Sequence, residues 1–151
     1  MIRPHSHLRD YQKYIQTHVV EAWKSHKSIM LQMPTGTGKT HLLASIIYDS
    51  LKENGKRYVW IVAHRRELVE QIEETMERYG IPSIPKEDGR VRAMSIQWLS
   101  RHLADLHETP NLIVIDEAHH ALAKTYKELW LRHPEAKKLG LTATPLSLIH
   151  I

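Results

Sequence analysis

Cysteine is absent from the sequence. No disulfide framework can form, no thiolate can hold a metal, and no thiol can serve as a nucleophile. Long apolar runs are also missing. None approaches the ~20 residues that span a hydrocarbon core. The opening residues, MIRPHSHLRDYQ, lack the apolar centre of a secretory signal. The twelve histidines stand singly except for His119-His120, and no HExxH-type spacing gathers them into a metal site. They are expected at the surface or in local hydrogen bonds. Neither an internal repeat nor a low-complexity linker is found. What remains is a globular domain with no membrane partner, expected in the cytoplasm.

The 151 residues are 42% apolar and 25% charged, ordinary proportions for one domain with a core of its own. A formal net charge of +4 leans towards an anionic partner, although many basic enzymes bind no polyanion. Leu8, Tyr11, Ile15, Val19 and Trp23 recur at helical spacing, so residues 8–25 read as an amphipathic helix. Residues 28–33 form a short apolar strand, and 39–54 a helix that ends at Asn54-Gly55. Residues 58–63, YVWIVA, are continuously apolar, as in a strand covered on both faces. A helix over 67–79 stops at Gly80, and a loop follows over 81–90. Strands are expected at 91–94, 112–115 and 138–142, with helices at 96–106 and 121–131. The alternation predicts an α/β fold: a mostly parallel sheet with helices on both faces. Ligands bind such sheets at the carboxyl ends of the strands. Three of these ends carry polar clusters, at 34–40, 116–119 and 142–144.

The first cluster reads Pro34-Thr35-Gly36-Thr37-Gly38-Lys39-Thr40, after a strand and before a helix. Gly36 and Gly38 let the backbone curl its N–H groups inwards, and the helix start favours an anion. Thr35 and Thr37 lie in the same loop. Lys39 can reach the β- and γ-phosphates of a nucleotide, and Thr40 offers a hydroxyl to Mg²⁺. The strict phosphate-loop pattern has Gly where this chain has Met33, a position that other ATPase families relax. In the second cluster, Asp116-Glu117 leaves the apolar strand LIVI. Two acids at such an exit are costly unless something binds them. Asp116 is the candidate Mg²⁺ group beside Thr40, and Glu117 the candidate base for the attacking water. Taken alone, the pair also fits a helix N-cap.

GTGKT, then Asp116-Glu117-Ala118-His119, then Thr142-Ala143-Thr144-Pro145, resemble in order the DEAD/DEAH-box helicases of superfamily 2. Leu8-Arg9-Asp10-Tyr11-Gln12 is similar to that family's adenine-recognition element. Val62 to Leu68 (VAHRREL) and Met94 to Leu99 (MSIQWL) are similar to its strand-contacting motifs. The resemblance spans residues 8–145. It implies a RecA-like ATP-binding domain over 1–145, with ATP and Mg²⁺ as cofactors. It implies that Arg9 and Gln12 meet the adenine, and that Thr35, Gly36, Thr37, Gly38, Lys39 and Thr40 hold the phosphates. Asp116 and Thr40 would hold the metal, with Lys39, Asp116 and Glu117 catalytic. His119, Thr142 and Thr144 would couple nucleotide state to strand binding, and Arg65, Arg66 and Gln97 would lie at the nucleic acid.

The residues by themselves leave some of these roles open. Arg65-Arg66 also fits a solvated helix start, and Arg9 and Gln12 a plain helix surface. Trp98 could stack on a base or sit in the core. AHRREL and TATP look more like restriction-enzyme translocating subunits and DNA-repair helicases than like RNA-unwinding relatives, so DNA is the expected partner. A restriction translocase that moves DNA without separating strands is one alternative, another phosphate-loop enzyme a second, and a nucleotide-dependent binding module inactive by itself a third. Family members hydrolyse ATP between two RecA-like domains, and the stretch after Pro145 is too short to supply the second. The closing LSLIHI corresponds to translation of a transposon-end adaptor used in sequencing libraries. Residues 146–151 are therefore expected to be non-native, with the gene continuing past Pro145 into that second domain.

Overall fold

The computed structural model describes residues 10–32, 39–53, 57–84, 88–116 and 123–142. In chain order the elements are α1 (Asp10–Ala22), β1 (Ser28–Gln32), α2 (Lys39–Glu53), β2 (Val59–Ala63), α3 (Arg66–Arg78), β3 (Val91–Ser95), α4 (Ile96–His102), β4 (Leu112–Asp116), α5 (Ala123–Arg132) and β5 (Lys137–Thr142). A short 3-10 turn, Leu103–Asp105, extends α4. The five strands form one sheet in the order β1-β5-β4-β2-β3, and every pairing is parallel.

The continuous apolar runs behave as two-sided strands. All five residues of β2 and all five of β4 are buried. Alternate side chains then serve two cores, as the strand period of two demands. Val59, Ile61 and Ala63 pack with Val19 of α1, Ile46 and Ile47 of α2, and Ile72 and Met76 of α3. Trp60 and Val62 point the other way, to Leu99 of α4 and Leu129 of α5. Helices therefore cover both faces. Among the described residues, no helix is long and apolar enough to cross a membrane.

Polar contacts fix the element ends. Gly80 has φ 71°. Its N–H donates to the Glu77 carbonyl at 3.0 Å, and that of Ile81 to Met76 at 2.9 Å, the paired bonds of a Schellman stop. Ser95 caps α4, its side chain accepting the Trp98 N–H at 3.1 Å. Lys138 is 3% exposed, and its Nζ donates to the carbonyls of His133 and Ala136 just past the end of α5. Helix α1 is tied to α2 through Gln16, which donates to Asp49 Oδ2 at 2.7 Å and accepts from Ser45 Oγ at 2.8 Å.

Helix boundaries move from the sequence expectation by more than one residue at two described ends. Helix α1 ends at Ala22 rather than 25, where the Lys24 and Ser25 N–H groups make tighter turn bonds to Glu21 and Ala22. Helix α4 ends at His102, and residues 103–105 tighten to 3-10 geometry.

Candidate functional site

Parallel strands place all carboxyl ends on one rim. Register makes this concrete: Gln32 pairs with Thr142, Leu141 with Asp116, Ile115 with Val62, and Ala63 with Ser95. The rim thus reads β1, β5, β4, β2, β3, with adjacent strands ~4.8 Å apart. Of the polar groups expected at strand ends, Asp116 and Thr142 share this edge.

Helix α2 starts at Lys39. Its Nζ donates to Asp116 Oδ1 at 2.7 Å, across 77 residues of sequence. The Asp116 side chain is 7% exposed and that of Lys39 28%. A carboxylate this buried is tolerable because a cation meets it. Thr40 follows Lys39 in the first turn of α2 and is half-buried. Thr142 is fully buried at the end of β5, beside both β1 and β4. Lys39, Thr40, Asp116 and Thr142 are therefore gathered on one stretch of rim. Arg9, Thr35, Gly36, Thr37, Gly38, Glu117, His119 and Thr144 lie outside the described residues, as do the Gln12 side chain and residues 143–151.

The strand-contact candidates occupy the other half of the same rim. Arg65 and Arg66 follow the end of β2, both exposed, at the start of α3. No side chain caps that helix. Two guanidinium groups at a helix start oppose its dipole and gain little unless an anion joins them. Gln97, exposed on α4, reaches the His64 carbonyl with its Nε2 at 3.4 Å, a long bond that draws the two segments together. Trp98 is half-buried against the second core and stacks on His102, with centroids 4.3 Å apart and planes at 17°. Of its two roles, packing is the one seen.

Some polar residues carried no signal in the sequence. Glu108 accepts from Arg92 Nε at 2.5 Å, Arg92 Nη2 at 3.2 Å and Trp60 Nε1 at 3.1 Å. Burial pushes its carboxyl up, but the Arg92 bonds and charge, a backbone N–H and the indole together hold it below its ordinary value. His133 is held below its ordinary value by burial first, and then by Lys138 and Arg132. His41, in the first turn of α2, hydrogen-bonds through Nδ1 to the Tyr79 hydroxyl at the end of α3. Among the described residues, no group of three or more His, Asp or Glu is poised to hold a metal.

Comparison with known proteins places this chain in a family. Residues 5–147 match the family described as Type III restriction enzyme, res subunit. The DNA 3'-5' translocase XPB2 of Sulfurisphaera tokodaii is 28% identical over 153 residues, covering 96% of this chain and 32% of its own length. Among solved structures, the Sulfolobus solfataricus SWI2/SNF2 ATPase core in complex with dsDNA matches with a TM-score of 0.75 and 23% identity, over 92% of this chain and 32% of that one. The Pyrococcus furiosus Hef helicase domain matches with a TM-score of 0.74 and 26% identity, over 95% and 34%. The chain spans 7% to 32% of the lengths of five curated relatives that it matches. It belongs to the restriction-enzyme res-subunit family and is an N-terminal RecA-like domain of the superfamily 2 helicases.

Proposed function

We propose that this domain is the nucleotide-binding half of an ATP-driven motor acting on nucleic acid, with DNA as the partner. The 2.7 Å contact between Lys39 Nζ and Asp116 Oδ1 carries the reading. A phosphate-neutralising ammonium and a metal-binding carboxylate must sit within one ligand's reach of each other, and these two do. In this structure each satisfies the other. With ATP-Mg²⁺ as substrate, Lys39 would turn to the β- and γ-phosphate oxygens, while Asp116 and Thr40 hold the metal. Magnesium bound there would neutralise charge that develops on the transferred phosphoryl group.

The remaining roles follow the family resemblance. Thr35, Gly36, Thr37 and Gly38 wrap the phosphates with backbone N–H groups, while Arg9 and Gln12 meet the adenine. Glu117 takes the proton of the attacking water. His119, Thr142 and Thr144 pass the state of the site onwards, and Arg65, Arg66 and Gln97 grip strand phosphates. The position of Thr142 at the end of β5, between β1 and the Asp116 strand β4, supports its coupling role. A second RecA-like domain in the full-length protein is part of the proposal. It would close over the nucleotide and supply a catalytic arginine. Relatives several times longer than this chain leave room for it.

The match to a restriction-enzyme family favours a second reading, in which the motor translocates along DNA without separating strands. ATP hydrolysis by the full-length protein, measured with and without DNA, tests the shared core of both. DNA should stimulate turnover. Lys39→Ala should abolish it, and Glu117→Gln should stop it while nucleotide binding persists. Hydrolysis indifferent to DNA, or intact in Lys39→Ala, would overturn the proposal.

A further inference from the structure

We infer that the cleft along the outer edge of β3 receives one nucleotide of a single strand led over the rim by Arg65 and Arg66, an inference that rests on the nucleic-acid reading above. Strand β3 is the last in the sheet order. Among the described residues, its outer side carries only the bridge between Ser83 and Val91. Beyond that bridge a cleft of about 460 Å³ opens between α3 and α4, a size that suits a nucleotide-scale ligand.

The lining argues for a polyanion. Arg66 enters from α3, Arg101 from α4 and Arg92 from β3, and among the described residues no carboxylate lines the cleft. Arg92 is already held by Glu108, so the available cationic walls are Arg66 and Arg101. Glu70 stands 3.6 Å from Arg66, but both side chains are largely exposed and such a pair holds weakly. Val69, Met94 and Trp98 supply the apolar surface between the cations. Cations flanking apolar and aromatic surface are what a phosphate-sugar-base unit requires. One indole face of Trp98 is covered by His102, so a base would lie against its remaining exposed surface. Continuity sets the direction of entry. Arg66 belongs both to the cleft and to the rim, and β3 delivers Ser95 to that same rim beside Gln97. A strand held at Arg65 and Arg66 can turn down the sheet edge without leaving positive charge.

The test is fluorescence anisotropy of a labelled oligothymidylate about 12 nucleotides long, within the usual single-strand site size. The protein is this chain, titrated between about 50 and 200 mM salt. Arg101→Ala should weaken binding about 3- to 10-fold and reduce the salt slope by about 0.7, one phosphate contact on a single strand. Arg132→Ala is the control. That side chain is exposed at the end of α5, near the opposite rim, and its loss should leave binding unchanged. Thermal melting should be the same for Arg101→Ala and the parent. Equal losses from Arg101→Ala and Arg132→Ala would mean diffuse charge and overturn the inference. So would competition by oligoglutamate as effective as by unlabelled oligonucleotide, which would make the cleft a peptide site. Binding weakened by Arg65→Ala but untouched by Arg101→Ala would remove the cleft and leave the nucleic-acid reading standing. A parent chain that binds no strand would remove both.

Discussion

A carboxylate as buried as Asp116 would destabilise the fold if it stood alone, and Lys39 prevents that. Removing the cation should therefore cost stability as well as ligand affinity. We expect Lys39→Ala to lose about 2 kcal/mol in chemical denaturation, below the ~3–5 kcal/mol of fully buried pairs because Lys39 is partly solvated. Unchanged stability would mean that Asp116 finds another partner. The His133 imidazole and the Glu108 carboxyl both lie below their ordinary values in the fold. Each contributes stability that is present above its unfolded pKa and lost as pH falls through the lower folded value. Melting temperature should hold steady above neutrality, begin to fall below about pH 6.5, where His133 takes up a proton more readily in the unfolded chain, and fall again below about pH 4.5, where Glu108 does the same. A single step near pH 4.5 in the parent, unaltered in His133→Gln, would show that His133 contributes nothing. Lys39, Thr40 and Asp116 were legible in the sequence because local order announces them: glycines before the lysine, an apolar strand before the acid. Glu108 and Gln16 were not. Their partners lie 16 to 48 residues away and follow no spacing rule.

At the scale of elements, hydrophobic period decided most assignments. YVWIVA and LIVI are apolar at every position and became the buried strands β2 and β4. The stop at Gly80 was readable because only a residue tolerant of positive φ closes a Schellman turn cheaply. Gly80→Ala should destabilise by about 1 kcal/mol, read as a shift in denaturation midpoint; no shift would mean that the turn has relaxed. Gly89 is a different case. A Cβ there would lie 2.6 Å from the Ser83 backbone, a crowding that no local pattern reveals. The strand order was equally hidden. Placing β1 beside β5, and β4 between β5 and β2, is a choice among long-range pairings that the amphipathic pattern does not rank. The Gln16 network shows what that order supports. It locks α1, which carries Gln12, onto α2, which begins with Lys39. Gln16→Leu should strand the hydroxyl of Ser45, which is fully buried, and cost about 1–3 kcal/mol. Under the proposed adenine role of Gln12, it should also weaken nucleotide binding more than a stability-matched core variant such as Ile113→Val.

For the whole molecule, the proposed function divides the rim of the sheet between two tasks. Lys39, Thr40, Asp116 and Thr142 occupy the β1-β5-β4 side, and Arg65, Arg66 and Gln97 the β2-β3 side, with β4 and β2 adjacent. Under that proposal a shift at Asp116 is one strand away from the start of α3, a short mechanical path between fuel and track. Hydrolysis needs more than this rim if the proposed second domain supplies the arginine, a contribution of about 10³–10⁵ in comparable nucleoside triphosphatases. The 151-residue chain should therefore turn ATP over far more slowly than the full-length protein, and equal rates would remove the need for a second domain. Under the proposed function, Lys39 and Asp116 face one triphosphate–metal complex. Titration of the chain with a fluorescent ATP analogue, with and without Mg²⁺, tests it most directly. Affinity should rise with Mg²⁺ in the parent, lose that rise in Asp116→Asn, and fall at least about tenfold in Lys39→Ala, the equivalent of ~1.4 kcal/mol. Parental affinity in Lys39→Ala, together with a full Mg²⁺ effect in Asp116→Asn, would contradict the account.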